Sequence, residues 1–357
     1  MGCLHPDGRL LTVATEIEAI RWQDDAIVLL DQTRLPGEVV TVACADVDSL
    51  VDAVRRLVVR GAPALGAVGA YGVAVAMLQA QREAWTADRL DVEVDRVRNA
   101  RPTAVNLAWG VDRVRPLMAH GVDAVLAEAD RVVAEDTAAN RQLSRHGADW
   151  ILAQCARRPL RVVTHCNTGA LATTGWGTAF GIIRELAERG QIELVYVDET
   201  RPLLQGARLT AYECAHHGIP YVVQSDGAAA STILRGLADF AVIGADRIAR
   251  NGDTANKIGS VSVALACAAA GIPFVVAAPS STVDLATASG DDIEIEMRSG
   301  DEVTAWSGVL TTPNDARGFN PAFDVTPAAY ISAVVTEFGV VEPGPGVTVD
   351  AIAGGAS

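Results

Sequence analysis

The chain has 357 residues, of which 50% are hydrophobic and 20% are charged, and its formal net charge at pH 7 is -15. The length leaves room for two domains of roughly 150 residues each. Such a negative charge would repel a phosphate-rich polymer, and no basic or aromatic stripe offsets it, so we expect no nucleic-acid partner. An anionic small molecule would have to be held by a local cluster of cations.

Neither a leader nor a membrane segment is expected, which favours a cytoplasmic protein. The first ten residues contain no apolar core of the kind that a signal peptide has. Residues 62–78 come nearest to the ~20 apolar residues of a membrane span, but glycines interrupt them, so we expect a buried core helix and no membrane partner. The six cysteines are scattered, without a CxxC pair or a spacing suited to zinc, which predicts free thiols and no metal site.

The chain begins with the pattern of a small antiparallel sheet. Two apolar runs, 26–30 and 39–42, flank a Leu-Pro-Gly turn and predict two strands. A helix should follow, with Asp48 or Ser49 as its N-cap and apolar residues at helical spacing from 50 to 58.

A second helix is expected to begin with an anion cradle. Arg60 should end the preceding helix, where Gly61 is placed to stop it, and Ala62-Pro63 should start the next. Glycine recurs at every third position from 66 to 72, which leaves one side of this helix open to close packing. The free backbone amides of Gly61 and Ala62, beside Arg60, would form a site for an anion.

A long helix at 123–152 should link the two halves of the chain. Just before it, Arg101-Pro102 opens another helix in the manner of the second one. We therefore expect a small α+β N-terminal domain at 1–121 and a larger domain at 122–357.

The larger domain carries the pattern of a parallel sheet. Five apolar runs alternate with helical segments and are each followed by polar residues. The runs are 161–164, 193–197, 221–223, 241–243 and 274–277. This alternation predicts an α/β fold with a Rossmann-like parallel sheet. Ligands bind beyond the carboxyl ends of such strands, so Cys166, Asp226 and Asp246 should converge there. A final helix is expected after 320–327.

The stretch 240–260 contains the densest group of candidate site residues. Asp246 follows a buried strand, and Asn256-Lys257 should open an apolar helix at 258–270. A carboxylate at a strand end and an ammonium at a helix start suit an anionic, hydroxyl-bearing ligand. No GxGxxG follows the first strand of the sheet, which disfavours a dinucleotide cofactor.

Lys257 is the only lysine among the 29 basic residues of the chain. Drift toward arginine that spared one position would explain this. Alternatively, the position requires a compact point charge where the planar fork of arginine would not fit.

Six segments together resemble the methylthioribose-1-phosphate isomerases over nearly the whole chain. These enzymes share a superfamily with the alpha, beta and delta regulatory subunits of initiation factor 2B and with ribose-1,5-bisphosphate isomerases. The segments are RGAPALG at 60–66, ARPTAVNL at 100–107, THCNTGALAT at 164–173, ETRPLLQGARLTAYE at 199–213, GADRIARNGDTANKIG at 244–259 and NPAFDVTP at 320–327.

The resemblance implies conversion of 5-methylthioribose 1-phosphate to 5-methylthioribulose 1-phosphate in methionine salvage, by a homodimer that uses neither metal nor nucleotide. It implies that Cys166 and Asp246 are the catalytic pair. The positions that match substrate-binding residues of the family are Arg60, Gly61, Ala62, Arg101, Gln205, Asn256 and Lys257.

The chemistry of the substrate agrees with that pair. A glycosyl phosphate has no free aldehyde, so its ring must open, and a protonated Asp246 could supply the proton. Burial in an apolar setting would raise the pKa of that carboxyl. Cys166 could then remove the C2 proton as a thiolate, or stabilise a direct hydride shift, and the sequence leaves both routes open.

The sequence departs from the family after Asp226, where Gly227-Ala228 replaces larger residues. Asp226 is expected to bind sugar hydroxyls, but the pocket for the C5 substituent is open to question. Isomerisation of 5-deoxyribose 1-phosphate is therefore an alternative. Isomerisation of ribose 1,5-bisphosphate is a second, although its other phosphate should need an extra cation near C5. A non-catalytic regulatory subunit is another, although such subunits generally lack the pair Cys166 and Asp246.

Overall fold

The computed structural model describes residues 16–101 and 105–354. Its helices are α1 (Val47–Arg55), α2 (Ala62–Glu83), α3 (Ala87–Arg98), α4 (Val105–Val114), α5 (Val122–Gln154), α6 (Ala179–Glu188), α7 (Ala211–His216), α8 (Ala229–Leu234), α9 (Ser260–Ala270) and α10 (Asp301–Thr304). Its strands are β1 (Ile20–Gln23), β2 (Ala26–Leu30), β3 (Thr41–Cys44), β4 (Leu160–Thr164), β5 (Ile192–Asp198), β6 (Tyr221–Gln224), β7 (Phe240–Ile243), β8 (Arg247–Ala249), β9 (Thr254–Lys257), β10 (Phe274–Ala277), β11 (Val283–Asp284), β12 (Ala305–Trp306), β13 (Val309–Leu310), β14 (Phe323–Thr326), β15 (Ala333–Thr336) and β16 (Gly339–Val341).

Strands β1, β2 and β3 form the antiparallel sheet expected near the start of the chain. Helix α1 follows, but its N-cap is Asp46, whose side chain accepts from the backbone N–H of Ser49 at 2.8 Å. The expected cap at Asp48 or Ser49 was therefore wrong by two or three positions. The helix ends at Arg55, so Arg60 lies in the loop before α2 rather than at a helix end.

The repeated glycines of α2 serve helix packing. A Cβ on Gly69 would lie 2.3 Å from the carbonyl oxygen of Leu107, and a Cβ on Gly110 would lie 1.9 Å from that of Gly66. Only glycine at these positions lets α2 and α4 approach so closely. Helix α2 is long and apolar enough to cross a membrane, yet 78% of its most apolar window is buried within the protein, as in a core helix.

A seven-stranded sheet organises the second part of the chain. Its order is β16-β15-β10-β7-β4-β5-β6, with every neighbouring pair parallel except β15 and β16. Alternate residues face opposite layers: Val162 and Val242 pack with α5 and α6, whereas Val163 and Ala241 pack with α8 and α9. The predicted α/β class and parallel sheet are confirmed; the division of the chain at residue 121 stays a prediction.

The expected helix at 258–270 begins later than predicted. Thr254–Lys257 is strand β9, and Gly259, at φ 110°, makes the turn into α9 at Ser260. The strand forms because β14 pairs with it antiparallel, with Asp324 opposite Asn256. The final helix expected after 320–327 was also wrong, because β15 and β16 follow there and complete the large sheet.

Candidate active site

A cavity of about 1090 Å³ opens beyond the carboxyl ends of β4 and β7. It is lined by nine of the ten residues proposed from the sequence. These are Arg60, Gly61, Ala62, Arg101, Cys166, Gln205, Asp246, Asn256 and Lys257. The fold thus brings together residues that lie as much as 197 positions apart, from Arg60 to Lys257.

Cys166 lies two residues beyond β4, with only 5% of its surface exposed. Its backbone adopts φ 64°, a conformation that is uncommon for a residue with a side chain. Two hydrogen bonds hold it: its N–H donates to Oγ1 of Thr200 at 2.9 Å, and its carbonyl accepts from Oγ1 of Thr210 at 2.6 Å. The surrounding structure therefore holds the backbone from which the thiol projects.

Arg60 reaches the same loop from the N-terminal part of the chain. Its Nη1 donates to Oδ1 of Asn167 at 2.8 Å, and its Nη2 lies 3.8 Å from the sulfur of Cys166. Asn167 is in turn held by buried Glu213, which accepts from its Nδ2 at 2.7 Å. The guanidinium is thereby fixed beside the thiol.

Gly61 is the N-cap of α2 and has φ 99°. A Cβ there would lie 2.1 Å from the carbonyl oxygen of Ala172. The start of α2 is consequently pressed against the loop that follows Cys166. Gly61 and Ala62 lie on the cavity wall at a helix N-terminus, where backbone N–H groups suit an anion.

Lys257 lies at the end of β9. Its Nζ donates to the carbonyl of Ala322 at 2.9 Å and lies 4.3 Å from the ring centroid of Phe323. Burial lowers the pKa of this ammonium, while the nearby Asp246 and Cys166 act to raise it. Lys257 therefore lies within electrostatic reach of both proposed catalytic groups. Because Lys257 lies at the end of a strand and not at the predicted start of a helix, the positive charge at this position comes from the ammonium alone.

The carboxylate of Asp246 faces the cavity and has no hydrogen bond or ion pair to another residue of the described ranges. It is accessible from the cavity, although protein groups enclose it on the other sides. Burial raises the pKa of Asp246 above its ordinary value, and the negative charge of Glu296 acts in the same direction. The charges of Lys257, Arg60 and Arg101 act to lower it. A raised pKa is what a proton donor near neutral pH requires.

Arg101, Gln205 and Asn256 complete the predicted set inside the cavity. Burial lowers the pKa of Arg101, whose nearest acid is Glu296, 4.0 Å away. Asn256 donates to Oγ of Ser260 at 2.9 Å. The buried Oε1 of Gln205 has no hydrogen-bond partner in the described part of the chain.

Asp226 is placed differently from the other nine. It does not line the cavity, and its two carboxylate oxygens accept from the backbone N–H groups of Thr200 and Arg201 at 2.7 and 2.6 Å. Thr200 in turn holds the backbone of Cys166. The expected contact of Asp226 with sugar hydroxyls stays a prediction. The hydrogen bonds that Asp226 accepts from Thr200 and Arg201 help to position the loop that carries Cys166.

His165, Asp198 and Asp226 form a cluster behind the cavity whose ligand-type atoms lie within 4.8 Å of one another. Nδ1 of His165 lies 3.1 Å from Oδ2 of Asp198, and its Nε2 lies 2.8 Å from the carbonyl of Ile258. Burial alone would lower the pKa of His165, but the bond to Asp198 and the surrounding acceptors raise it overall. Both ring nitrogens thus face acceptors, and the cluster ties the Cys166 loop to the end of β9.

Part of the cavity wall consists of residues that were not predicted from the sequence. Glu296, Arg298, Glu302 and Trp306 lie there as well, on the segment between β11 and β14. Arg298 pairs with Glu302, and Arg201 lies 5.0 Å from the ring of Trp306. Their segment carried no periodic signal, although four charged residues within seven, at 296–302, marked it.

Comparisons with known proteins agree with this arrangement. Residues 58–343 match the Initiation factor 2 subunit family. A methylthioribose-1-phosphate isomerase from Desulforudis audaxviator is 45% identical over 339 residues, with 92% of this chain and 95% of the relative covered. A probable bifunctional methylthioribose-1-phosphate isomerase/methylthioribulose-1-phosphate dehydratase from Nocardia farcinica is 53% identical over 324 residues. The match covers 90% of this chain but only 59% of that relative.

Two solved structures share the fold. The 5-methylthioribose 1-phosphate isomerase from Pyrococcus horikoshii OT3 has a TM-score of 0.85 and 35% identity, covering 93% of this chain and 94% of its own. A protein from A. fulgidus described as translation initiation factor eIF-2B, subunit delta, has a TM-score of 0.83 and 37% identity, covering 94% and 99%. The chain belongs to the initiation factor 2 subunit family and, within it, to the methylthioribose-1-phosphate isomerases.

Proposed function

We propose that this protein is an aldose–ketose isomerase that converts 5-methylthioribose 1-phosphate to 5-methylthioribulose 1-phosphate in methionine salvage. The observation that supports it most is the presence of a thiol and a carboxyl, Cys166 and Asp246, on one cavity with Lys257 close to both. Relatives at 44–46% identity that match over more than 90% of their length carry that name.

Ring opening is the first task of the site. Protonated Asp246 would donate its proton to the ring oxygen as the bond from that oxygen to C1 breaks, and the phosphate-bearing oxygen would stabilise the cation left at C1. The arrival of a phosphate dianion near Lys257, Arg60 and Arg101 would offset their charges. Substrate binding would thereby help to keep the proton on Asp246 until the ring opens.

Hydrogen then moves from C2 to C1 by one of two routes. Cys166 as a thiolate would take the C2 proton, forming a C1=C2 enol, and return it to C1. Alternatively, hydride would pass directly from C2 to C1 while the thiol loop stabilises the charge. In both routes the C2 hydroxyl loses its proton to Asp246, which restores the acid and leaves a carbonyl at C2.

The cations of the cavity favour a substrate with one phosphate. Arg56, Arg247 and Arg298 have carboxylate partners within 3.5 Å, in Asp52, Asp284 and Glu302 respectively. Arg201 and Arg208 donate to backbone carbonyls at 2.9–3.3 Å. Arg60 and Lys257 likewise donate to backbone carbonyls, at 3.3 and 2.9 Å, and Arg101 lies 4.0 Å from Glu296. These three are the cations whose charges act on Asp246, and one such group is suited to a single phosphate rather than a 1,5-bisphosphate.

The regulatory-subunit alternative is disfavoured for the same reason that the isomerase is favoured. A protein that only binds sugar phosphates or nucleotides has no need of a thiol held at φ 64° against an arginine, nor of a free carboxyl with a raised pKa. The dehydratase named in the bifunctional Nocardia relative is not part of this proposal, since this chain covers 59% of that protein.

We also propose that the protein works as a cytoplasmic homodimer of two-domain subunits, divided near residue 121. Strand β6 lies at the edge of the large sheet and exposes Tyr221, Val222 and Val223 by 36–46% of their surfaces. An apolar sheet edge of this kind is suited to contact with a second copy. Light scattering should give twice the chain mass of 37.3 kDa, and a monomer would count against the dimer.

The function is tested by supplying the purified protein with the 5-methylthio, 5-deoxy and 5-phospho derivatives of ribose 1-phosphate and measuring the ketose product. We expect the highest kcat/KM with the methylthio sugar. A clear preference for the deoxy or bisphosphate sugar would assign a different substrate. An absence of turnover with all three, while the phosphate sugars still bind, would favour a regulatory role.

A further inference from the structure

Glu296 has an unusual environment on the cavity wall. Its side chain is 20% exposed, and its Oε1 accepts a hydrogen bond of 3.4 Å from Arg298. Its Oε2 is buried and has no hydrogen-bond partner in the described part of the chain. An unsatisfied buried carboxylate oxygen is costly, and a small rotation of this side chain toward the cavity that it lines would give the oxygen a donor on a bound ligand.

Glu296 also acts on the proposed acid. The charged or titratable groups that affect or face Asp246 from the elements around it are Arg60 before α2, Arg101 before α4, Cys166 after β4, Lys257 on β9 and Glu296 on the segment before β14. The other charged groups on the cavity wall are Arg56, Arg201, Arg208, Arg247, Glu294, Arg298, Asp301 and Glu302. Arg60, Arg101 and Lys257 favour the ionised form of Asp246, whereas Glu296 favours its protonated form.

We propose that Glu296 is a further substrate-binding residue of the isomerase, whose carboxylate accepts a hydrogen bond from a sugar hydroxyl. This inference rests on the proposed function. Arg101, 4.0 Å from Oε2, would then lie between this hydroxyl contact and the phosphate. The carboxylate is suited to accept from a hydroxyl because, when ionised, it offers lone pairs and no donor.

The consequence is a specific change in the pH profile. Removing the charge of Glu296 lowers the pKa of Asp246, because a neighbouring negative charge no longer disfavours ionisation. Asp246 must be protonated to act, so kcat should decline at a lower pH in the variant. Neighbouring charges shift a pKa by 1–3 units in typical cases, so we expect the alkaline limb to move down by roughly one unit.

The experiment compares Glu296→Gln, Glu296→Asp and the wild-type protein between pH 5.5 and 9.5 with 5-methylthioribose 1-phosphate. Glu296→Gln should shift the alkaline limb of kcat downward and raise KM by about tenfold, the value of one hydrogen bond to a charged group. Glu296→Asp keeps the charge but shortens the reach, so the limb should stay in place while KM rises. The matched control is Glu294→Gln, which neutralises an exposed acid on the same wall.

Three outcomes would overturn the inference. They are an unchanged limb and KM in Glu296→Gln, an equal shift in Glu294→Gln, or an equal shift in Glu296→Asp. If Glu296→Gln does not fold, as judged by thermal unfolding, Glu296→Asp provides the test. A raised KM with an unmoved alkaline limb supports the inference, and an unchanged KM overturns it. Turnover by the wild type is measured first, and its absence would overturn the proposed function itself, which the variants alone cannot do.

Discussion

Nη2 of Arg60 lies 3.8 Å from Sγ of Cys166, although the two residues are 106 positions apart in the chain. Arg60 belongs to the loop before α2 and Cys166 to the loop after β4, so the N-terminal part of the chain supplies a cation to the strand-end site. This contact joins the two proposed halves of the site.

The first prediction concerns that thiol. Cys166→Ser should lower kcat by roughly 10²–10⁴-fold, because a hydroxyl neither ionises nor stabilises charge as a thiol does. Folding should be preserved, since serine is nearly isosteric. The measurement is steady-state turnover with thermal unfolding alongside.

A buried cysteine away from the cavity provides the control. Burial raises the pKa of Cys267 to about 12, so this thiol in α9 is inert, and Cys267→Ser should retain most of the turnover. Near-normal activity in Cys166→Ser would remove the thiol from the mechanism.

The second prediction concerns the solitary lysine. Lys257→Arg keeps the charge but places a planar fork where the ammonium contacts the carbonyl of Ala322 and the ring of Phe323. We expect weaker binding of the sugar phosphate, with KM raised about tenfold or more. If Lys257→Arg bound the substrate as the wild type does, the absence of other lysines would be accidental.

The third prediction concerns the glycine at the start of α2. Gly61→Ala would place a Cβ 2.1 Å from the carbonyl oxygen of Ala172, at φ 99°. Strain and overpacking each cost of order 1–3 kcal/mol, so the Tm should fall and the cavity wall should shift. Gly190→Ala is the control, since it has a positive φ of 67° but nothing within 4 Å of its Cβ. Equal losses in the two variants would show that backbone conformation alone matters at Gly61.

The fourth prediction concerns stability at acid pH. Burial, followed by the charges of Arg184 and His216, lowers the pKa of His217 from 6.5 to about 4. In the unfolded chain this histidine takes up a proton below pH 6.5, whereas in the folded protein it resists until about pH 4. Stability should therefore be lost as pH falls between these values.

The measurement is urea unfolding at pH 7.5, 6 and 5 for the wild type and His217→Gln. The variant cannot take up that proton in either state, so its loss of stability over this range should be smaller. A loss equal to that of the wild type would mean that carboxylates, rather than His217, govern the acid transition.

Much of the site was predictable because its residues follow regular elements. Cys166 and Asp246 come directly after buried apolar strands, and strand ends of a parallel sheet meet at one edge. Gly61 is the N-cap of an apolar helix whose first two residues are Ala62 and Pro63. In each case local pattern and topology pointed to the same place.

The errors arose where distant pairing overrides local preference. Asn256 and Lys257 precede an apolar run and resemble a helix start, but β14 pairs with them. Asp324 lies opposite Asn256 and Phe323 opposite Lys257, 68 and 66 positions farther along the chain. Glu296 escaped notice because an irregular segment has no period to interpret. Asp226 satisfied the same strand-end rule as Asp246, yet its oxygens are turned to backbone amides instead of the cavity.

The sequence by itself determined the α/β class, the parallel strands and the chemical types at the strand ends, because these depend on hydrophobic periodicity and on residue identity. Only the tertiary structure decided which side chains face the cavity, which are held by backbone amides, and which charges oppose one another around Asp246. Those properties depend on distances between residues far apart in the chain, and no local pattern encodes them.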